Sequence, residues 1–75
     1  MNLTYKILLH KAPEGGFTVN VPALPGCITE GDSLEEAMSM AKEAIELYIE
    51  ELEYRGEPIP DDSNVLEYSL NLVTT

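Results

Sequence analysis

Two prolines and a glycine within five residues, Pro22-Ala23-Leu24-Pro25-Gly26, limit this chain more than any other stretch. Each proline lacks a backbone N–H and disfavours the α region in the residue before it, so neither helix nor strand continues through them. Pro25-Gly26 suits the two central positions of a type II turn, with Gly26 supplying positive φ. The stretch is read as an elbow that sets the register of a following strand, Cys27 to Glu30. A slip of one residue there would turn every side chain of that strand to the wrong face.

Upstream, Leu3, Tyr5, Ile7 and Leu9 alternate with Thr4, Lys6, Leu8 and His10, the period of a strand. Ala12-Pro13-Glu14-Gly15-Gly16 has the make-up of a hairpin turn. Phe17, Val19 and Val21 then alternate with Thr18 and Asn20 as a second strand.

Downstream, Ser33 followed three residues later by Glu36 is a capping box, and Asp32 with Glu35 offers a competing one. Acids in this turn also suit the positive end of a helix dipole. Leu34, Ala37, Met38, Ala41, Ala44, Ile45, Tyr48 and Leu52 fall on one stripe at helical spacing. The helix is expected to reach about Arg55, with Gly56 as a left-handed stop and Pro58 just beyond. Met40, Leu47 and Tyr54 repeat every seven residues on a flank outside the stripe. That flank reads either as a widened core or as an exposed contact surface.

After a connector stiffened by Pro58 and Pro60, Leu66, Tyr68, Leu70 and Leu72 alternate with Val65, Glu67, Ser69 and Asn71. A fourth strand is expected. The predicted fold class is α+β, a single domain over residues 1–75 with element order βββαβ. A right-handed crossover would lay the last strand parallel to the first, giving a four-stranded mixed sheet of order 3-2-1-4. One helix covers one face and leaves the other to water or another chain.

Composition narrows the function. A chain of 75 residues buries only about 60% of its unfolded surface, so an oligomer or partner is expected to share the core. Fourteen acids against four bases give a net charge of −10. Such a chain repels phosphate, so direct nucleic-acid binding is not expected, whereas a basic protein would be steered towards it. No apolar run approaches the roughly 20 residues needed to span a bilayer. The N-terminus lacks the basic region and small-residue cleavage site of a signal peptide, so the expected location is cytoplasmic.

Catalysis finds little support. Nothing places Cys27 beside His10 as a nucleophile–base pair, and a lone cysteine after a Pro-Gly turn reads as a small packed residue. One histidine and one cysteine do not make a metal site. Gly15-Gly16 and Gly31 lack the spacing and the lysine of a phosphate loop. No catalytic residue, metal or cofactor is expected.

The ordered combination is informative where each piece is weak. Gly15-Gly16 before an aromatic, Pro22-x-Leu24-Pro25-Gly26-Cys27-x-Thr29-x-Gly31-Asp32-Ser33, Glu35-Glu36-Ala37, Glu43-Ala44-Ile45, and Gly56 with Pro58 and Pro60 follow one another along most of the chain. In this the chain resembles the HicB family of antitoxins from prokaryotic toxin–antitoxin pairs. The resemblance implies a partial ribonuclease-H-like fold and a role in binding a small basic HicA-type RNA-cleaving toxin. It also implies that the structural motif Pro22, Pro25, Gly26, Cys27, Gly31, Ser33, Glu36 and Gly56 is framework.

Many members continue into a DNA-binding domain, and this chain reads as a short form without one. Ala23 stands where many members carry an acid, which removes one charge from the toxin surface. The candidate toxin contacts are Glu30, Asp32, Glu35 and Glu67, with capping an open alternative for Asp32 and Glu35. Met40, Leu47 and Tyr54 are the candidate interface of a homodimer or higher oligomer. The alternative function is a stand-alone acidic oligomeric adaptor that has no toxin.

Overall fold

Three short strands and one long helix make up the fold in the computed structural model, which describes residues 3–74. The strands are β1 (Leu8–Lys11), β2 (Phe17–Asn20) and β3 (Ile28–Gly31), followed by helix α1 (Leu34–Tyr54) and a single 3₁₀ turn, Asp62–Asn64. They form an antiparallel meander of order β1-β2-β3. Between β1 and β2 the turn closes with the Ala12 N–H donating to the Gly16 carbonyl at 3.0 Å.

The elbow is two turns in succession. The Leu24 N–H donates to the Val21 carbonyl at 3.0 Å, and the Cys27 N–H to the Leu24 carbonyl at 2.9 Å. The second turn has Pro25 and Gly26 at its centre, and Gly26 has φ +81° as a type II turn requires. Leu24, held between the prolines, is fully buried.

Helix α1 begins and ends on local signals. The Ser33 hydroxyl accepts from the Glu36 N–H at 3.1 Å, while the Glu36 carboxylate accepts from the Asp32 N–H at 3.2 Å. At the other end the Gly56 N–H donates to Glu53 and the Glu57 N–H to Leu52, with Gly56 at φ +70°. This pair of bonds is a Schellman closure, which satisfies carbonyls that the last turn leaves free.

The core has two parts. Val19, Ala37 and Ala41 join sheet to helix, flanked by Ile7 and Phe17. Val21, Leu24 and Cys27 join elbow to helix, flanked by residues that include Tyr5, Ile45 and Tyr48. The Tyr48 hydroxyl also donates to the Pro25 carbonyl at 2.8 Å. Between the two parts Gly31 lets the end of β3 meet the first turn of α1. A Cβ on Gly31 would lie 2.4 Å from the Ala37 nitrogen and 2.6 Å from its Cα, both backbone atoms.

Three expectations are corrected. Residues 65–74 form no strand, so the βββαβ order and the four-stranded, ribonuclease-H-like sheet of order 3-2-1-4 give way to three strands and a helix. The connector is tied to the N-terminal run at Tyr5 and Lys6, and beyond Val65 the apolar side chains Leu66, Tyr68, Leu70 and Leu72 stand exposed. The first strand starts at Leu8 and not Leu3, because β2 ends at Asn20 and Val21 turns into the elbow, leaving residues 3–7 without a ladder partner. Leu34 and Met38 are exposed, since so short a sheet does not reach the whole helical stripe. Met1, Asn2 and Thr75 of the expected 1–75 domain lie outside the described residues.

Gly31→Ala is expected to destabilise the fold at the upper end of the about 1–3 kcal/mol typical of overpacking. Ser33→Ala, which removes only a cap, should cost about 1 kcal/mol. Urea unfolding midpoints compare them; equal midpoints would show that helix and strand separate easily.

Candidate functional site

The period of two in β1–β3 sorts their side chains onto two faces. Leu9, Val19 and Thr29 align on the helix side, while His10, Thr18 and Glu30 align on the open side, as do Leu8, Asn20 and Ile28. β3 is one edge of this sheet. Along that edge lies a shallow groove of about 480 Å³ bordered by Glu14, Glu30, Asp32, Glu36 and Met40.

Of the expected toxin contacts, Glu30 and Asp32 meet in this groove, whereas Glu35 and Glu67 do not line it. All four are exposed. Glu14, which enters from the β1–β2 turn, was not singled out in the sequence, and nothing local distinguishes it from the other acids. The Glu36 carboxylate is engaged in capping at the Asp32 N–H, while the Asp32 side chain is free of any cap.

Met40, Leu47 and Tyr54 are all exposed, Tyr54 at 87%. The widened-core reading of this flank is therefore excluded. Met40 borders both the acidic groove and a neighbouring depression with Ile28, and Leu47 meets Ile28 and Cys27 in a third. Ile28 itself is 62% exposed. The β3 edge thus carries an apolar line with acids at one end, which is the make-up of a protein contact: an apolar centre with a charged rim.

Cys27 and His10 do not come together. Cys27 is buried in the elbow cluster, where burial pushes its thiol up, and His10 is exposed on the open face of β1. A thiol held in its neutral form is a poor nucleophile. Among the described residues no three histidine, cysteine, aspartate or glutamate side chains are grouped to hold a metal ion. Among the described residues no helix is long and apolar enough to cross a membrane.

On the opposite side, the connector is fastened to the N-terminal run. The Tyr5 hydroxyl donates to the Pro60 carbonyl at 2.5 Å, and the Lys6 N–H donates to the Asp62 carboxylate. Burial, and then the nearby charges of Asp62 and Asp61, raise the Tyr5 phenol above its usual range. Hydrogen bonds from the Ser63 side chain and backbone lower the Asp61 carboxyl.

A family model described as HicB-like antitoxin of bacterial toxin–antitoxin systems matches residues 5–72. The chain belongs to this family. A UPF0150 protein of Thermoplasma acidophilum is 46% identical over 61 residues, covering 81% of this chain and 88% of the relative. Antitoxin HicB 1 of Photorhabdus laumondii is 32% identical over 77 residues, covering 97% of this chain and 50% of that protein. Antitoxin HicB of Escherichia coli K12 is 35% identical over 66 residues, covering 83% and 48%. The chain thus spans about half the length of these two antitoxins. Membership in the HicB-like family supports an antitoxin role.

Two outcomes are expected here. Cys27 should react slowly with an aromatic disulfide reagent in the native state and quickly once urea unfolds the chain; fast native labelling would contradict its burial. The raised Tyr5 phenol keeps its bond to Pro60 fully below the unfolded tyrosine value of about 10 and loses it as pH rises through the higher folded value. Ultraviolet titration should show a late tyrosine that is absent in Tyr5→Phe.

Proposed function

We propose that this chain is the antitoxin of a type II pair and neutralises a small basic HicA-type RNA-cleaving toxin in the cytoplasm. The family match over residues 5–72 carries the reading. The groove at the β3 edge supports it as the docking face. Glu14, Glu30 and Asp32 supply negative charge there, and Met40 with Ile28 supplies an apolar anchor. Charge of this kind speeds encounter and orients the partner, while the apolar contact sets how long the complex lasts.

Self-association belongs to the same proposal. Leu47 and Tyr54 extend the exposed flank away from the acidic groove, and they remain candidates for a contact between copies. The adaptor reading would require a different ligand, and the same binding experiment addresses it.

Mixing the chain with a purified HicA-type toxin, first one encoded beside it, should give a stable complex and block RNA cleavage. Association should slow as salt rises. Glu30→Lys and Glu14→Lys should each lower the association rate several-fold at low salt with the fold intact, as followed by stopped flow. Unchanged rates in both would remove the β3-edge groove as the toxin face. No binding to any such toxin would favour the adaptor.

A further inference from the structure

Two segments outside the sheet and the helix hold each other. Residues 3–7 have no ladder partner, and among the described residues the hydrogen bonds that leave them all run to the segment after α1. The Tyr5 hydroxyl donates to the Pro60 carbonyl, the Lys6 N–H to the Asp62 carboxylate, and Lys6 Nζ to the Val65 carbonyl at 3.3 Å. Within the second segment, the Val65 N–H donates to the Asp62 carbonyl at 2.9 Å. Asp62 therefore joins the two halves, with its carboxylate on Lys6 and its carbonyl on Val65.

Together the halves form a clasp along one side of α1. Leu3, Tyr5 and Ile7 border an apolar groove of about 360 Å³ with Met38, Ile45 and Ile49 of the helix. Neither half supplies the central core: the buried apolar side chains all lie between Val19 and Leu52, and Tyr5 and Ile7 only flank them. The helix also has its own closures at Ser33 and Gly56. Sheet, elbow and helix thus keep both parts of the core when the clasp is open. Segments with few buried apolar side chains and exposed backbone bonds open at the low end of a protein's range of local stabilities.

The closed clasp also contains a feature that works against it. Asp62 Oδ1, the carboxylate oxygen not bonded to Lys6, is shielded from solvent and has no hydrogen-bond partner. A buried acceptor without a donor opposes closure, and opening returns it to water. No ion pair offsets this. The charged groups nearby are Lys6, Asp61 and Asp62 on the clasp and Lys42 and Glu46 at the groove, yet among the described residues the salt bridges are both made by Arg55.

We infer that residues 3–7 are a lid on α1, latched by Asp62, and that lid and connector open and close as one unit while sheet and helix stay folded. Opening uncovers the side of α1 that Leu3, Tyr5 and Ile7 face, so access to it depends on a residue more than fifty positions away in sequence. The device is independent of the antitoxin reading and leaves the β3 edge as it is.

Native-state hydrogen exchange of the full chain, read by NMR at a series of low urea concentrations, tests this. The reporters are the Lys6 and Val65 N–H groups, 59 residues apart. They are expected to show matching protection and a matching, shallow urea dependence, both below those of Ala41 and Ala44 in the helix. Tyr5→Phe removes only the bond to Pro60 and touches neither reporter's own bond. It should speed both by the same factor, up to about tenfold. Asp62→Ala, which keeps the backbone carbonyl that Val65 uses, should speed Val65 as well as Lys6. Ser33→Ala weakens the domain as a whole, so it should speed Ala41 and Ala44 and leave both reporters unchanged. Reporters that differ in protection, or that respond separately to Tyr5→Phe, overturn the single unit. If Ser33→Ala speeds the reporters as much as the helix, they are released only by global unfolding and there is no lid.

Discussion

The fold rests on one close approach. The backbone of β3 meets the first turn of α1 at Gly31, where even a methyl group would overlap the main chain of Ala37. This contact brings Ala37 and Ala41 down onto Val19, the first part of the core. The small alanines matter as much as the glycine, because a larger side chain at either would lift the helix. Gly16 extends the same junction: a Cβ there would lie 3.0 Å from the Gly31 carbonyl, so the β1–β2 turn is also pressed against the end of β3. Two glycine positions distant in sequence thus serve one junction.

The elbow supplies the second part of the core, and it does so by being irregular. Two successive turns draw Leu24 inward between two prolines, where it packs with Val21 and Cys27. Residues restricted in φ lose less entropy on ordering, which suits a domain with little apolar area to spend on folding. Tyr48 locks the arrangement from the helix through its bond to Pro25. The motif that carries the family resemblance is therefore a packing device. The exposed acids and apolar side chains of the β3 edge lie beside it.

A domain this small leaves much of its apolar surface outside. The described residues divide that surface between two sheet edges of different character. One combines Met40 and Ile28 with acids, and the other has an apolar groove bordered by Lys42 and Glu46, with Asp62 bonded to Lys6 beside it.

What the sequence determined by itself was local. The Ser33 cap, the Gly56 stop and the Pro25-Gly26 turn follow from bonds and dihedral limits within a few residues, and these hold in the folded chain. The alternation of Phe17, Val19 and Val21 likewise located the inward face of β2, since a strand with one covered face writes that face into its own period. Tertiary structure decided the rest. Alternation at 3–9 and 65–72 signals side chains suited to a sheet, but a strand exists only where a neighbour supplies hydrogen bonds, and β2 is too short to supply them to residues 3–7. The grouping of Glu14 with Glu30 and Asp32, and the burial of Leu24, depend on turns that bring distant segments together. Periodicity records which face a residue prefers, and only the packed chain settles what lies opposite it.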